Sequence, residues 1–421
     1  MAGDTAGLSG LSVRAHSARY EVCVLGLGYI GLPTAAILAS RGHRVYGVDI
    51  NADIVRVINE GRIHIVEPDL DILVRSAVEA GRLSASTAPT HADVFMICVP
   101  TPVHHETHTP DLTFVEAATR SIVPVLRKGN LVILESTSPP GTTVNVVGRV
   151  LRQSGFDPGS DVCLAYCPER VLPGAILREC VENERVIGGL TPACAAAARN
   201  FYKTFVQGEI HLSDCTTAEI VKLAENASRD VQIAFANELS LIARRHGVNV
   251  WEIIRLANRH PRVTILQPGP GVGGHCIAVD PWFLIADTGP HEHSVIRAAR
   301  ELNDAMPAHC ARVIAATARE RGARTVALLG MAYKADIDDC RESPSLGVLE
   351  ALRREAPDLE VLCCEPNVSA LNGVTLTPLA ECLTRAQVAA ILVAHREFRE
   401  LAANPPDGVT FVDFKGLLSI P

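Results

Sequence analysis

Glu21-Val22-Cys23-Val24-Leu25 runs straight into Gly26-Leu27-Gly28-Tyr29-Ile30-Gly31, and Leu32 to Arg41 continues with a helical pattern. A short apolar strand, a G-x-G-x-x-G turn and a helix in that order form the opening unit of a doubly wound α/β sheet. The first glycine permits the tight turn, the second lets a pyrophosphate approach the main chain, and the third lets helix pack on strand. A second strand, Arg44 to Val48, ends at Asp49, about twenty residues past the turn. A carboxylate there accepts from a ribose 2′-hydroxyl and repels a 2′-phosphate, which selects NAD over NADP.

Further strand-helix units follow. Asp93 to Val99 is a continuous apolar run ending in Pro100-Thr101-Pro102, and Leu131 to Leu134 ends in Glu135-Ser136-Thr137. Ligands of open α/β sheets lie beyond the carboxyl ends of the strands, so Thr101 and Thr137 are placed to touch the cofactor, or each to cap a helix. Val162 to Ala165 leads to Tyr166-Cys167-Pro168-Glu169-Arg170-Val171-Leu172-Pro173-Gly174, a loop at a strand end that carries an acid and a base. The insert His104-His105-Glu106-Thr107-His108 has metal-binding residue types but no partnering cluster in the sequence, and is read as a solvated loop, with no metal.

Composition limits what the chain can be. It has 421 residues, 48% hydrophobic and 20% charged, which is a folded chain long enough for two or three domains. A net charge of −8 leaves no basic footprint for nucleic acid. The thirteen cysteines are odd in number and show no C-x-x-C pair, as expected of reduced thiols in the cytoplasm. No apolar run reaches the length of a membrane span, and residues 1–19 lack the apolar core of a signal peptide and are read as a loose extension.

The middle of the chain changes character. Thr216 to His246 is a long helical pattern in which Thr216 and Glu219 read as a capping box and Gly247 as the terminator. Its length suggests a spine between domains or an oligomer contact. Lys222, Asn226 and Arg229 share one face at i, i+4 and i+7, either as a solvated stripe or as an anion site. After a helix from Val250 to Asn258 comes Arg259-His260-Pro261-Arg262, and then Pro268-Gly269-Pro270-Gly271-Val272-Gly273-Gly274-His275-Cys276, with Asp280 four residues on. Glycines delivering one cysteine suggest a nucleophile with main chain lying against a substrate; the alternative is a glycine-rich turn around an inert thiol. From Arg324 onward the strand-helix pattern returns, with Thr325 to Leu329 before Gly330-Met331-Ala332-Tyr333-Lys334, a Ser343-Pro344 helix start, and strands at Leu359 to Cys363, Val388 to Val393 and Val409 to Val412. Two nucleotide-type units flanking a helical middle suggest one nucleotide as cofactor and one as a substrate handle.

VLGLGYIGLPTA (24–35), VPTP (99–102), ESTSPPGTT (135–143), YCPERVLPG (166–174), KLAENASRD (222–230), GPGVGGHCIAVDPWF (269–283) and YKADIDDCRESP (333–344) together resemble the UDP-glucose and GDP-mannose dehydrogenases. The resemblance covers nearly everything from Glu21 onward. It implies two Rossmann-like domains joined by a helical middle domain: NAD binding at 20–212, a central dimerisation domain with the cysteine loop at 213–320, and UDP binding at 321–421. It further implies a homodimer and a UDP-sugar substrate oxidised at C6 to a carboxylate with two NAD⁺. Cys276 would form a thiohemiacetal and then a thioester; Lys222 and Asn226 would stabilise the oxygen anion; Asp280 would lie near the hydrolytic water and Glu169 in the substrate loop. Arg170, Val171, Lys222, Asn226, Arg229, His260, Arg262, Gly273, Tyr333 and Lys334 match substrate contacts. Gly26, Gly28, Tyr29, Ile30, Gly31, Asp49, Thr101, Thr137 and Arg341 match cofactor contacts.

Val279, where the UDP-glucose branch has lysine, and Pro173, where it has a second glutamate, instead agree with the branch acting on UDP-N-acetylmannosamine. UDP-N-acetylglucosamine and UDP-glucose remain alternative substrates. An ordinary two-electron hydroxyacid dehydrogenase and a non-catalytic NAD-binding regulatory protein are the alternatives of other classes.

Overall fold

The computed structural model describes residues 19–104, 107–172, 174–274, 276–286, 288 and 294–418. The expected N-terminal extension, apart from Arg19, lies outside them, as do His105, Glu106 and Pro173. The chain forms two compact units: one runs to Ala224 and includes Trp282–Ala286, the other is Glu225–Pro281 with Asp287–Pro421. The protein is α/β, with a Rossmann-type sheet in each unit and a helical middle region.

The first unit holds an eight-stranded sheet. Its strands are β1 (Glu21–Leu25), β2 (Arg44–Val48), β3 (Leu83–Ser86), β4 (Val94–Ile97), β5 (Leu131–Leu134), β6 (Cys163–Tyr166), β7 (Arg185–Gly189) and β8 (Ile210–Asp214), in the order β3-β2-β1-β4-β5-β6-β7-β8. All neighbours run parallel except β6 and β7. Strands β1, β4, β5 and β6 carry almost unbroken apolar sequence because both faces are covered. Val22, Val24 and Met96 pack on one side of the sheet, Cys23, Leu25 and Phe95 on the other. Strand order reverses between β1 and β4, which opens the ligand crevice at their carboxyl ends.

The second unit repeats the design on a smaller scale. Strands β9 (Thr325–Leu329), β10 (Glu360–Cys364), β11 (Val388–Ile391) and β12 (Thr410–Asp413) form a parallel sheet in the order β10-β9-β11-β12. One face is covered by the helices Val295–Arg321 and Pro344–Glu355 through Ile314, Ala318, Val348 and Leu352. Ser343 accepts from the Ser345 N–H and Pro344 follows it, the helix start expected from sequence.

The long middle helix spans Cys215–Arg245. Its start differs from expectation: Asp214, not Thr216, accepts from the Thr217 N–H at 2.9 Å. Glu219 is fully buried and accepts from the Gly141 N–H at 2.5 Å and the Thr143 N–H at 2.8 Å. It is therefore spent on fastening the 139–143 turn rather than on a capping box. The 27-residue helix Val295–Arg321 was not anticipated, because its sequence contains Pro307 and alanines fill much of its buried face.

Candidate active site

The turn after β1 is built for a dinucleotide. Gly26 has φ +88° and donates to the Val48 carbonyl at 2.8 Å; a Cβ there would lie 2.6 Å from the Cys98 carbonyl oxygen, so only glycine fits. A Cβ on Gly31 would strike the Gly26 carbonyl at 1.8 Å, whereas one on Gly28 would meet nothing within 4 Å. Open space above Gly28 is where a pyrophosphate can approach. No side chain caps the helix Gly31–Ser40, whose dipole favours an anion at this end. Asp49 is half-buried and accepts from the Leu27 N–H at 3.1 Å and the Asn51 N–H at 2.9 Å, which aims the carboxylate along the turn. Tyr29 is exposed and Ile30 is half-buried. These residues fit NAD. Thr101, at the end of the β4 loop, donates to the Thr137 carbonyl at 2.6 Å, so the two threonines tie the β4 and β5 loops together.

The loop after β6 reads differently in three dimensions. Glu169 is buried and paired with Arg185 at 2.6 Å, and it also accepts from the Arg170 N–H at 2.8 Å. Arg170 reaches the Glu184 carbonyl at 2.6 Å, and Val171 packs against the core below. Sequence reasoning missed the network beneath: Tyr202 donates to Glu135 at 2.6 Å, Cys98 approaches the other oxygen of Glu135 at 3.1 Å, and Arg185 lies over the Tyr202 ring. Burial, reinforced by the Glu169 charge and opposed by Arg185, pushes the Glu135 carboxyl up to about 7. No local motif signals this network, whose members are spread from Cys98 to Tyr202.

In the second unit the structure brings Cys276, Asp280 and Asn226 together. Cys276 is exposed, whereas every other cysteine is buried or half-buried, and none of the thirteen is in a disulfide. Its carbonyl accepts from the Val279 and Asp280 N–H groups at 3.0 and 2.8 Å, a turn that brings Asp280 back toward the helix Cys215–Arg245. Asn226 on that helix donates to Asp280 at 2.5 Å. Lys222 stands one helical turn earlier and is buried; Arg229 is exposed.

The glycines before Cys276 are also packed closely against the rest of the unit. A Cβ on Gly273 would lie 2.5 Å from the Glu342 carbonyl and 2.6 Å from Pro344, and Gly274 faces the Tyr333 ring. Gly271 faces the Asn303 carbonyl and Pro307. Pro307 has no N–H for the Asn303 carbonyl four residues earlier, so the continuous helix lacks one ladder hydrogen bond where the loop packs. Close approach by the protein's own chain is enough to exclude side chains at Gly273.

A buried polar chain holds the loop from behind. Arg300 pairs with Asp230; Asn303 donates to Asp230 at 2.8 Å; Asn237 donates to Asn303 at 2.8 Å; and Asn237 accepts from the Gly269 N–H at 2.9 Å. Lys415 adds a contact to the Pro268 carbonyl at 3.4 Å. Burial, with the carboxyl of Asp339 and the thiol of Cys276 facing it, raises the Tyr333 hydroxyl. Arg341 grips Asp339 through two hydrogen bonds of 2.9 and 2.7 Å, while Lys334, His260 and Arg262 are exposed. His108 stacks on Trp282 with ring centroids 4.0 Å apart, a packing role for one histidine of the insert.

Three family segments match in succession: the NAD-binding domain of the UDP-glucose/GDP-mannose dehydrogenase family over residues 20–206, its central domain over 216–305, and its UDP-binding domain over 327–419. The chain belongs to the UDP-glucose/GDP-mannose dehydrogenase family. It is an NAD-dependent dehydrogenase of nucleotide sugars. A relative from Ralstonia nicotianae named NDP-N-acetyl-D-galactosaminuronic acid dehydrogenase is 50% identical over 411 residues, 94% of this chain and 96% of its own length. The UDP-N-acetyl-D-mannosamine dehydrogenase of Campylobacter jejuni is 50% identical over 399 residues, 91% of this chain and 97% of its own. Among solved structures, the UDP-N-acetyl-mannosamine dehydrogenase Cap5O from S. aureus superposes with a TM-score of 0.86 at 40% identity, covering 95% of this chain and 99% of that one. No helix among the described residues is long and apolar enough to cross a membrane.

Proposed function

We propose that this dehydrogenase oxidises C6 of UDP-N-acetyl-D-mannosamine to the carboxylate with two NAD⁺ through a thioester on Cys276. The observation that carries the reading is the exposed Cys276 presented by a loop fastened on both sides, with Asp280 four residues away and held by Asn226. NAD held by the Gly26–Gly31 turn and Asp49 would supply the acceptor for the hydride removed from the sugar carbon at each of the two oxidations.

Between the oxidations the Cys276 thiolate adds to the C6 aldehyde, forming the sulfur–carbon bond while the carbonyl electron pair moves to oxygen. Lys222 and Asn226 are assigned to stabilise that oxygen anion by the family resemblance, Lys222 also as acid or base. After the second oxidation water adds to the thioester carbon, with Asp280 as the base that takes its proton. The carbon–sulfur bond then breaks and the thiolate is restored. Glu169, paired with Arg185, is assigned a positioning role for the substrate loop. Arg170, Val171, Arg229, His260, Arg262, Gly273, Tyr333 and Lys334 belong to this proposal as substrate contacts, and Thr101, Thr137 and Arg341 as cofactor contacts. The division at 20–212, 213–320 and 321–421 assigns NAD, the thiol loop and UDP in that order, supported by the matched segments.

The test supplies UDP-N-acetylmannosamine, UDP-N-acetylgalactosamine, UDP-N-acetylglucosamine and UDP-glucose in parallel and counts NADH. Two NADH per mannosamine sugar and at least about a thousand-fold loss of turnover in Cys276→Ala are expected. One NADH per sugar, or retained activity in that variant, sinks the mechanism. A faster galactosamine substrate, the sugar in the name of the Ralstonia relative, replaces the sugar but not the chemistry.

We also infer a homodimer through the long helix, on which Phe235 and Ile242, seven residues apart, are 52% and 44% exposed. Sedimentation of Phe235→Asp should show a monomer; an unchanged dimer places the interface elsewhere.

A further inference from the structure

A hollow of about 340 Å³ lies between the helices Cys215–Arg245 and Val295–Arg321, within the second unit. Met306, Leu241 and Leu302 make its apolar floor, and Arg244, Arg245, Arg312 and His309 surround them. It shares no residue with the Cys276 loop or the fingerprint turn. In a chain whose net charge is −8, three exposed arginines and a half-buried histidine line this hollow with no carboxylate among the lining residues. None of the four makes an ion pair among the described residues. Arg354 and Glu355 line an adjoining hollow of about 200 Å³ on the far side of Arg312, and Glu355 does not pair with it. Burial first, and then the charges of Arg244 and Arg312, lower the His309 imidazole.

We propose that this hollow binds a phosphate dianion or pyrophosphate carried on a small molecule. Arginine forks match phosphate oxygens in pairs, and a dianion relieves the mutual repulsion of the cations. The apolar floor then takes the carbon body attached to the phosphate. The proposal does not rest on the assigned sugar or on the thioester.

Histidine-labelled full-length protein, with His309→Gln used to assign the resonance, is titrated by NMR with inorganic pyrophosphate and separately with UDP. Pyrophosphate should raise the His309 midpoint, because an anion favours the imidazolium. Arg244→Gln and Arg312→Gln should each weaken that effect about ten-fold relative to their own baselines and leave dehydrogenase turnover unchanged. UDP acting at lower concentration than pyrophosphate assigns the floor to the rest of a nucleotide, and equal potency assigns recognition to the phosphates alone. A His309 midpoint unmoved by millimolar pyrophosphate, or moved equally in the double variant Arg244→Gln/Arg312→Gln, overturns the proposal.

Discussion

The turns after β1 and β9 are the same device with opposite use of one carboxylate. Gly26 donates to the Val48 carbonyl and Gly330 to the Cys364 carbonyl, at 2.8 and 2.9 Å, with φ of +88° and +95°. Each glycine faces the strand across the switch point, where a Cβ would meet Cys98 or Val393. The next residue after each second strand is an acid, Asp49 or Glu365. Asp49 spends two hydrogen bonds on backbone and stays half-buried. Glu365 is buried and accepts from the Met331, Ala332 and Asn367 N–H groups at 2.8 to 3.0 Å and from His395 at 3.1 Å. His395 accepts on Nδ1 from the Asp336 N–H at 3.0 Å, so its proton sits on Nε2 and points at the carboxylate. The same geometry thus leaves one acid half-open, at the turn proposed to hold the cofactor, and in the other unit fills the acid to fasten the fold.

Substitutions at the two acids should separate these uses. Glu365→Ala leaves buried N–H groups without acceptors and should cost about 3 kcal/mol in denaturant unfolding, with the KM for NAD unchanged. A raised KM without lost stability would invert the comparison. Asp49→Ala should raise the KM for NAD about ten-fold and ease the discrimination against NADP, with stability nearly unchanged; a variant that instead unfolds shows that Asp49 is structural too.

The smallest effect is in pH. Burial works against ionising Glu365, but the hydrogen bonds from His395 and the three N–H groups win and hold its carboxyl at about 2, below the usual 4.5. A depressed acid contributes stability above its unfolded value, so that contribution is lost as pH falls from about 4.5 toward 2. Glu365→Gln should flatten the acid limb of the stability curve, measured by urea titration at each pH.

What could be read from sequence was what is local. The G-x-G-x-x-G turn is legible because its demands fall on consecutive residues and Asp49 follows at a known spacing. Asp280 and Cys276 are legible for the same reason. Glu365 escaped notice because its partners, Met331 and His395, stand some thirty residues to either side. The capping box at Thr216 failed because Glu219 had a stronger use, the buried 139–143 turn, which no pattern within the helix reveals. The polar chain behind Gly269 was invisible because Asp230, Asn237 and Asn303 look like solvated positions until two helices pack them together.

That polar chain also bears on how the thiol loop can be inherited. Residues 268–280 look portable, a short motif with a nucleophile at its end. Yet Gly271 is shaped to the Asn303 carbonyl and the Pro307 ring, Gly273 to Pro344, and the Gly269 amide to an asparagine whose orientation depends on Asn303, Asp230 and Arg300. Grafted alone onto another scaffold, the loop would arrive without the surfaces that give it one conformation. The unit that gives the loop its conformation is a set of contacts distributed from Asp230 to Pro344.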